Sequence, residues 1–328
     1  MECNSCQFPL NERDSIGICG VCTKTTHSFC LIKKGDNMVC DVCYVKEDTD
    51  VKPYEFVLPD FIRRTNIETY RKCPNKFKLE VLEGHEQPPR SYTQVGIDLH
   101  DIFEKCLWDR AITIQQAKAM YDVEFEKEKE MNLFETDEIA QGFYKRAIDC
   151  IDNYFELLPT FPKPFITEET IFYDVQEGLP KVRFTMDAIF EEPDGTLSLK
   201  DWKTGKELVG KQLAEDLQAP LYIYGVEQHY GKKVSKFTYY YLKDNKVREF
   251  VRTDDGTFVC TVGKREYKIR TNEMLGTVRS LFARIKNGDF NIPLDTKKMY
   301  FTCKMCHLQE QGLCQGADTQ AWLNNWEG

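Results

Sequence analysis

The sequence predicts a mixed α/β domain, a sheet flanked by helices, preceded by a small metal-organised domain. Three patterns carry that prediction. Apolar residues recur at three- and four-residue spacing through much of residues 60–158, the period of an amphipathic helix. Beyond residue 166 the pattern changes to short β-prone runs broken by turns, among them Pro193-Asp194-Gly195. Paired cysteines crowd the first 44 residues, where leucine is scarce and no helical period is long enough to bury a face.

In chain order, helices are expected over Asp60–Glu83, Gly96–Lys118 and Asp137–Leu158. Alternating strands and turns follow over Ile166–Ser198, then a helix over Leu213–His229. Strands are expected over Phe237–Leu242 and Arg248–Arg252, a helix over Asn272–Lys286, and last a cysteine-rich tail. The domain division is therefore 1–44 for the metal-organised part, a polar linker over 45–53 and one α/β domain over 54–328.

Composition narrows the function. Lys and Arg number 44 against 53 Asp and Glu, a net charge of −9, which argues against a protein that coats nucleic acid non-specifically. It leaves room for an enzyme with a local basic groove. Hydrophobic residues at 41% support a sizeable core and exclude a disordered chain. No apolar run approaches the ~20 residues of a membrane span. The first residues also lack the basic and apolar regions of a signal peptide. A soluble, cytoplasmic protein without a membrane partner is expected.

Seven of the 14 cysteines precede residue 45. They form, with one histidine, the pairs Cys3–Cys6, Cys19–Cys22, His27–Cys30 and Cys40–Cys43, each separated by two residues. That spacing lets both members of a pair reach one tetrahedral ion, so eight ligands provide two structural Zn(II) sites. The order, four cysteines, a histidine and three cysteines, resembles the PHD/RING group of zinc fingers. The resemblance implies a cross-brace: Cys3, Cys6, His27 and Cys30 on one ion, Cys19, Cys22, Cys40 and Cys43 on the other. No aromatic cage precedes the last pair. The finger is instead a candidate dock for a protein partner, such as a helicase or recombination factor, a DNA-contacting module, or a purely structural cap.

The chemistry concentrates around the Pro-Asp-Gly turn. One strand carries Asp187, and the returning strand carries Asp201 and Lys203, which share a face because residues i and i+2 of a strand do. Two carboxylates suit a hard divalent cation, and an adjacent lysine orients water and stabilises charge on a phosphate. Asp-x-Lys alone is a weak signal, usually a solvated face. Here it has company. Gly96-Ile-Asp-Leu-His100-Asp-Ile-Phe-Glu104 lies upstream and Gln218-Ala-Pro-Leu-Tyr222 downstream.

Together these residues resemble the PD-(D/E)XK nuclease superfamily, and within it the RecB-like branch, over roughly residues 60–315. The resemblance implies a restriction-endonuclease-like core and Mg(II)- or Mn(II)-dependent phosphodiester hydrolysis. His100, Asp187, Asp201 and the main-chain carbonyl of Trp202 would hold the catalytic metal. Lys203 would assist water and the transition state, and Gln218 and Tyr222 would place the strand. Glu168 or Glu169, at the start of an earlier strand, also comes within reach.

Cys303, Cys306 and Cys314 follow the last expected helix and leave a tetrahedral set one ligand short. Cys73, some 230 residues earlier, is the fourth candidate. The split resembles the iron–sulfur staple of AddB-type and CRISPR-associated RecB-like nucleases, which implies a [4Fe-4S] cluster that clips the ends of the domain together. Four thiolates suit zinc equally well, and His307 could replace one of them, so ligand type alone leaves both metals open. Cys106, Cys150 and Cys260 stand alone and read as buried thiols.

The expected activity is that of a metal-dependent deoxyribonuclease, an exonuclease acting on single strands or free DNA ends in recombination, repair or replication. No phosphate-binding Gly-x-x-x-x-Gly-Lys loop is present, so unwinding would fall to a partner. A compact nuclease with an added finger would suit a phage or other mobile element. The rival reading is a non-cleaving adaptor that grips DNA and recruits a partner through its finger.

Overall fold

A computed structural model describes residues 16–20, 23–27, 31–34, 37–40, 56–85, 87–292, 299 and 302–316. Its contacts divide the chain into two units, each assembled from separate stretches of sequence: 1–87, 174–182 and 272–328 in the first, 88–173 and 183–271 in the second.

The first unit opens with two antiparallel hairpins. Strand β1 (Ile16–Ile18) pairs with β2 (Thr25–His27), and β3 (Leu31–Lys34) with β4 (Asn37–Cys40). Cys19 is buried beside them, its N–H donating to Lys24 O at 3.1 Å, while Gly20 N–H donates to Met38 O at 2.8 Å. The other expected zinc ligands, Cys3, Cys6, Cys22, Cys30 and Cys43 with the side chains of His27 and Cys40, lie outside the described residues, as does the 45–53 linker. Next come β5 (Phe61–Arg63) and α1 (Arg64–Lys72). The expected 60–83 helix is broken at Cys73-Pro74, because proline removes a backbone donor and forces its predecessor out of the helical region. Cys73 is accordingly extended, with φ −152°, and α2 (Pro74–Phe77) restarts behind it, running into a single π-turn over Lys78–Leu82. Tyr70 anchors this corner: its hydroxyl donates to Asp289 O at 2.7 Å and its ring meets Phe77 and Phe290 edge-on.

The second unit is a mixed sheet between two helical layers. Helices α3 (Ser91–Trp108), α4 (Ile114–Glu130) and α5 (Asp137–Leu157) cover one face. The expected 96–118 helix is thus two helices. Thr113 caps the second, accepting from Gln116 N–H while the Gln116 side chain accepts from Thr113 N–H, a reciprocal box that starts a new helix.

Strands β6 (Ile166–Tyr173), β7 (Lys181–Glu191) and β8 (Leu197–Lys203) lead to α6 (Lys211–Ala214) and α7 (Gln218–Tyr230). Strands β9 (Val234–Tyr241), β10 (Lys246–Arg252), β11 (Phe258–Val262) and β12 (Arg265–Ile269) complete the sheet. Its order is β12-β11-β10-β9-β8-β7, with β6 also on β7; β8 and β9 run parallel and the other registered pairs antiparallel. The sheet is therefore mixed and helix-flanked, as expected. The β11–β12 hairpin is an addition to the expected set.

Period-two alternation sorts the residues of β8 between the two layers. Lys200 and Trp202 face the α3–α5 side, where Trp202 packs on Tyr154, Phe161 and Tyr240 with ring centroids 5.5, 5.2 and 5.0 Å away. Cys106 and Cys150 are fully buried in the same core, and desolvation pushes their thiols up to about 11 and about 12, which suits small hydrophobes better than nucleophiles. Asp201 and Lys203 point the other way. Chain Met1–Gly328 has no helix, among the described residues, long and apolar enough to cross a membrane. The last long helix, α8 (Thr271–Lys286), and the short α9 (His307–Glu310) return to the first unit.

Candidate metal-dependent active site

The site is built where β7 and β8 part. Their ladder pairs Ala188 with Lys200, which brings Asp187 level with Asp201. There the Asp187 carboxylate takes the place of the next backbone acceptor: Trp202 N–H donates to Asp187 Oδ2 at 2.6 Å. The other Asp187 oxygen lies 3.3 Å from Nδ1 of His100, on α3. Burial alone would lower the imidazolium, but the Asp187 charge outweighs it and lifts His100 to about 9.

Glu168 completes this group. One ligand atom each from His100, Glu168 and Asp187 lie within 4.8 Å of one another. Glu168 reaches the group through an unusual backbone: its φ is +47°, left-handed near the start of β6. Such a conformation costs of order 1–3 kcal/mol in a non-glycine residue and persists only where the surroundings enforce it. They do so through Thr167, whose hydroxyl donates to Glu104 Oε1 at 2.5 Å and accepts from Trp108 Nε1 at 2.6 Å. Both partners belong to α3, so the start of β6 is tied to the helix that carries His100. Burial, then the Asp187 charge, pushes Glu168 up to about 7. Glu169 points elsewhere, 3.8 Å from His229.

The donor set, one imidazole nitrogen and hard carboxylate oxygens, fits Mg(II) or Mn(II). A cation placed there reverses the local logic, since it favours ionised Glu168 and neutral His100, the forms that ligate.

Beside this group stands a second one, formed by β8 and α7. Lys203 Nζ lies 2.7 Å from Asp201 Oδ2 and donates to Gln218 Oε1 at 2.8 Å, and Gln218 Nε2 donates to the other Asp201 oxygen. The three side chains close a ring. Asp201 is 2% exposed, so burial pushes its carboxyl up while Lys203 pulls it down. Lys203 also lies 5.5 Å from the centre of the Tyr239 ring.

Tyr222, one turn beyond Gln218, stacks on Phe184 at 4.2 Å and meets Phe237 edge-on. Helix α7 comes this near to the sheet because of Gly225: a Cβ there would stand 2.5 Å from Phe184 and 2.7 Å from Tyr173. Gly225→Ala is therefore expected to push α7, and Gln218 with it, off the sheet. A thermal melt lowered by several degrees together with reduced activity checks this, and unchanged values for both refute it.

In the first unit the structure brings Cys73, Cys303, Cys306 and Cys314 around one pocket. Burial raises the Cys73 thiol, reinforced by the other three. Cys314 Sγ accepts from Asn75 Nδ2 and from Gly316 N–H, both at 3.3 Å. His307 is buried nearby, with Nε2 3.5 Å from Glu80.

Sequence reasoning left Glu168 and Glu169 undecided and passed over Thr167 and Trp108. The one available signal was the polar run Thr167-Glu168-Glu169-Thr170, unusual for a strand laid on a core. Compared with known proteins, the chain matches the PD-(D/E)XK nuclease superfamily over residues 64–314. No curated protein matches it.

Proposed function

The chain belongs to the PD-(D/E)XK nuclease superfamily, whose nucleases use divalent metals, and on that premise we propose that it is a deoxyribonuclease. In this reading it acts as an exonuclease on single strands or free ends, in recombination, repair or replication. One observation carries the proposal: a carboxylate–imidazole group stands directly beside a lysine, both at the point where β7 and β8 separate. The exonuclease and DNA preferences rest on the RecB-like look of the His100 and Gln218 helices.

His100, Glu168, Asp187 and Asp201, with the Trp202 carbonyl, would hold the catalytic Mg(II) or Mn(II), which would supply Lewis-acid stabilisation to the scissile phosphate. Asp187 fixes the end of β8 through Trp202 N–H, so the lysine that follows Trp202 is held in place. Lys203 carries a positive charge to the phosphate and orients the attacking water. Gln218 keeps the ammonium and the Asp201 carboxylate in register, and Tyr222 holds α7 against the sheet. The amino-terminal finger takes two zinc ions and docks a protein partner. Cys73, Cys303, Cys306 and Cys314 hold a [4Fe-4S] cluster. The four thiols ring one pocket, which supports a shared metal group there, and the likeness of the split to the RecB-like staple favours the cluster.

The test is a time course on end-labelled single- and double-stranded DNA with Mg(II) or Mn(II), run beside Asp201→Ala. Metal-dependent cleavage that disappears in the variant is the expected result, and the product ladder gives polarity. Binding by both proteins with cutting by neither overturns the nuclease in favour of the adaptor.

A further inference from the structure

A second feature of the α3–α5 side supplies none of the metal-holding groups, although its Trp108 also braces Thr167 beside Glu168. Between the end of α3, the start of α4 and the segment after α5 lies a groove of about 820 Å³, with walls that include Trp108, Ile112, Phe155 and Phe161. Trp108 is 47% exposed, a large apolar ring left at the surface. It is also held in place. Its indole N–H donates to Thr167 Oγ1 at 2.6 Å, which restrains the angle of a ring that lines the groove.

The groove carries two cations. Lys163 Nζ lies 6.0 Å from the centre of the Trp108 ring. Arg110 secures the wall: its guanidinium donates to the carbonyls of Leu158, Phe161 and Pro162 at 2.5, 3.3 and 3.1 Å. A fixed aromatic ring with an ammonium over it suits an unpaired nucleotide, whose base offers a π-face and whose phosphate offers a negative charge to draw the ammonium off the ring.

The groove is tied to the candidate site through helix α3 and one hydrogen bond. Trp108 is eight residues beyond His100 on the same helix, about 12 Å along its axis at ~1.5 Å per residue. Its hydrogen-bond partner, Thr167, is the residue before Glu168. A strand that followed α3 with a phosphate at His100 would have a base at Trp108 about three or four stacked steps away.

We infer that this groove binds a nucleobase of the single-stranded substrate by stacking on Trp108, with Lys163 on the neighbouring phosphate. The inference rests on the nuclease reading for its choice of ligand. Stacking of this kind tolerates any base, since every base has a π-face, and so adds affinity without sequence preference.

The test measures equilibrium binding of fluorescein-labelled oligothymidylate, and of an abasic oligomer of the same length, without divalent metal so that nothing is cut. Trp108→Ala is expected to weaken oligothymidylate binding about 5- to 100-fold, Trp108→Phe only a few-fold, and neither to change abasic binding much. Lys163→Ala is expected to reduce the slope of log affinity against log salt by about 0.7. Equal affinity across wild type and both Trp108 variants overturns the inference and leaves the groove to a protein segment. So does an equal loss on the abasic oligomer, or a wild type that binds no single strand. Cleavage by the wild type with Mn(II), read separately, keeps the two proposals apart. Trp108-dependent binding without cutting retires the nuclease and keeps the groove, and cutting without Trp108-dependent binding does the reverse.

Discussion

Lys203→Ala is expected to abolish metal-dependent cleavage, by about 10³-fold or more in kcat/KM, while the protein remains folded. The two halves of this outcome have separate physical causes. Loss of activity follows because Lys203 is the cation that two side chains, Asp201 and Gln218, hold at the edge of the carboxylate group. A donor aimed at charge that develops in the transition state is commonly worth ~10²–10³ in rate, and the ammonium contributes a full charge as well. The fold survives because the lysine is only part-buried and at the end of its strand, so its removal opens no core cavity. Asp201 is left without its cation, but its carboxyl, already pushed up by burial, can take a proton instead. Steady-state cleavage of end-labelled single-stranded DNA with Mn(II), beside a thermal melt, checks both halves. Full activity in the variant would sink the mechanism, and a collapsed melt would make the lysine structural.

The second large effect concerns the distant cysteines. Cys73→Ala is expected to strip the metal from the Cys73–Cys303–Cys306–Cys314 pocket and to lower the melting temperature by on the order of 10 °C. Ligands gathered from both ends of a long sequence turn metal binding into folding energy, and removal of one releases it. Elemental analysis of anaerobically purified protein separates the candidates. Iron with acid-labile sulfide in the wild type, lost in the variant, identifies the cluster; zinc in place of both overturns it. A variant that keeps its metal and its melting temperature removes Cys73 from the ligand set.

Much of the site was legible before any coordinates. Asp187, Asp201 and Lys203 follow from a turn and a two-residue period, both local, and the structure gathers them as that logic requires. Gln218, on the first turn of α7, is picked out by the likeness of Gln218-Ala-Pro-Leu-Tyr222 to a RecB-like helix and not by periodicity. What could not be read depends on long-range fit. Nothing in Thr167-Glu168-Glu169 announces which glutamate turns inward, because the choice is made by a left-handed residue that α3 stabilises from another part of the chain. The division into two units was hidden for a related reason, since each combines stretches far apart in sequence. Helix α4 was merged with α3 because Thr113 and Gln116 make their cap across only three residues, inside a stretch that otherwise keeps a helical period. The β11–β12 hairpin escaped because β12 is mostly exposed and therefore carries too few apolar residues to alternate clearly.

The left-handed Glu168 also says something about how this fold can change over generations. Glycine or asparagine would fit that backbone with less strain than glutamate does, so position 168 trades durability for chemistry. In a descendant freed from the need to cut, drift at 168 would be rewarded at once by a sturdier strand, whereas loss of Asp187 would strand the Trp202 N–H. Decay of the active site would thus begin at Glu168. A protein of this lineage with glycine there and the Asp-x-Lys pair intact would be one that has recently ceased to be an enzyme.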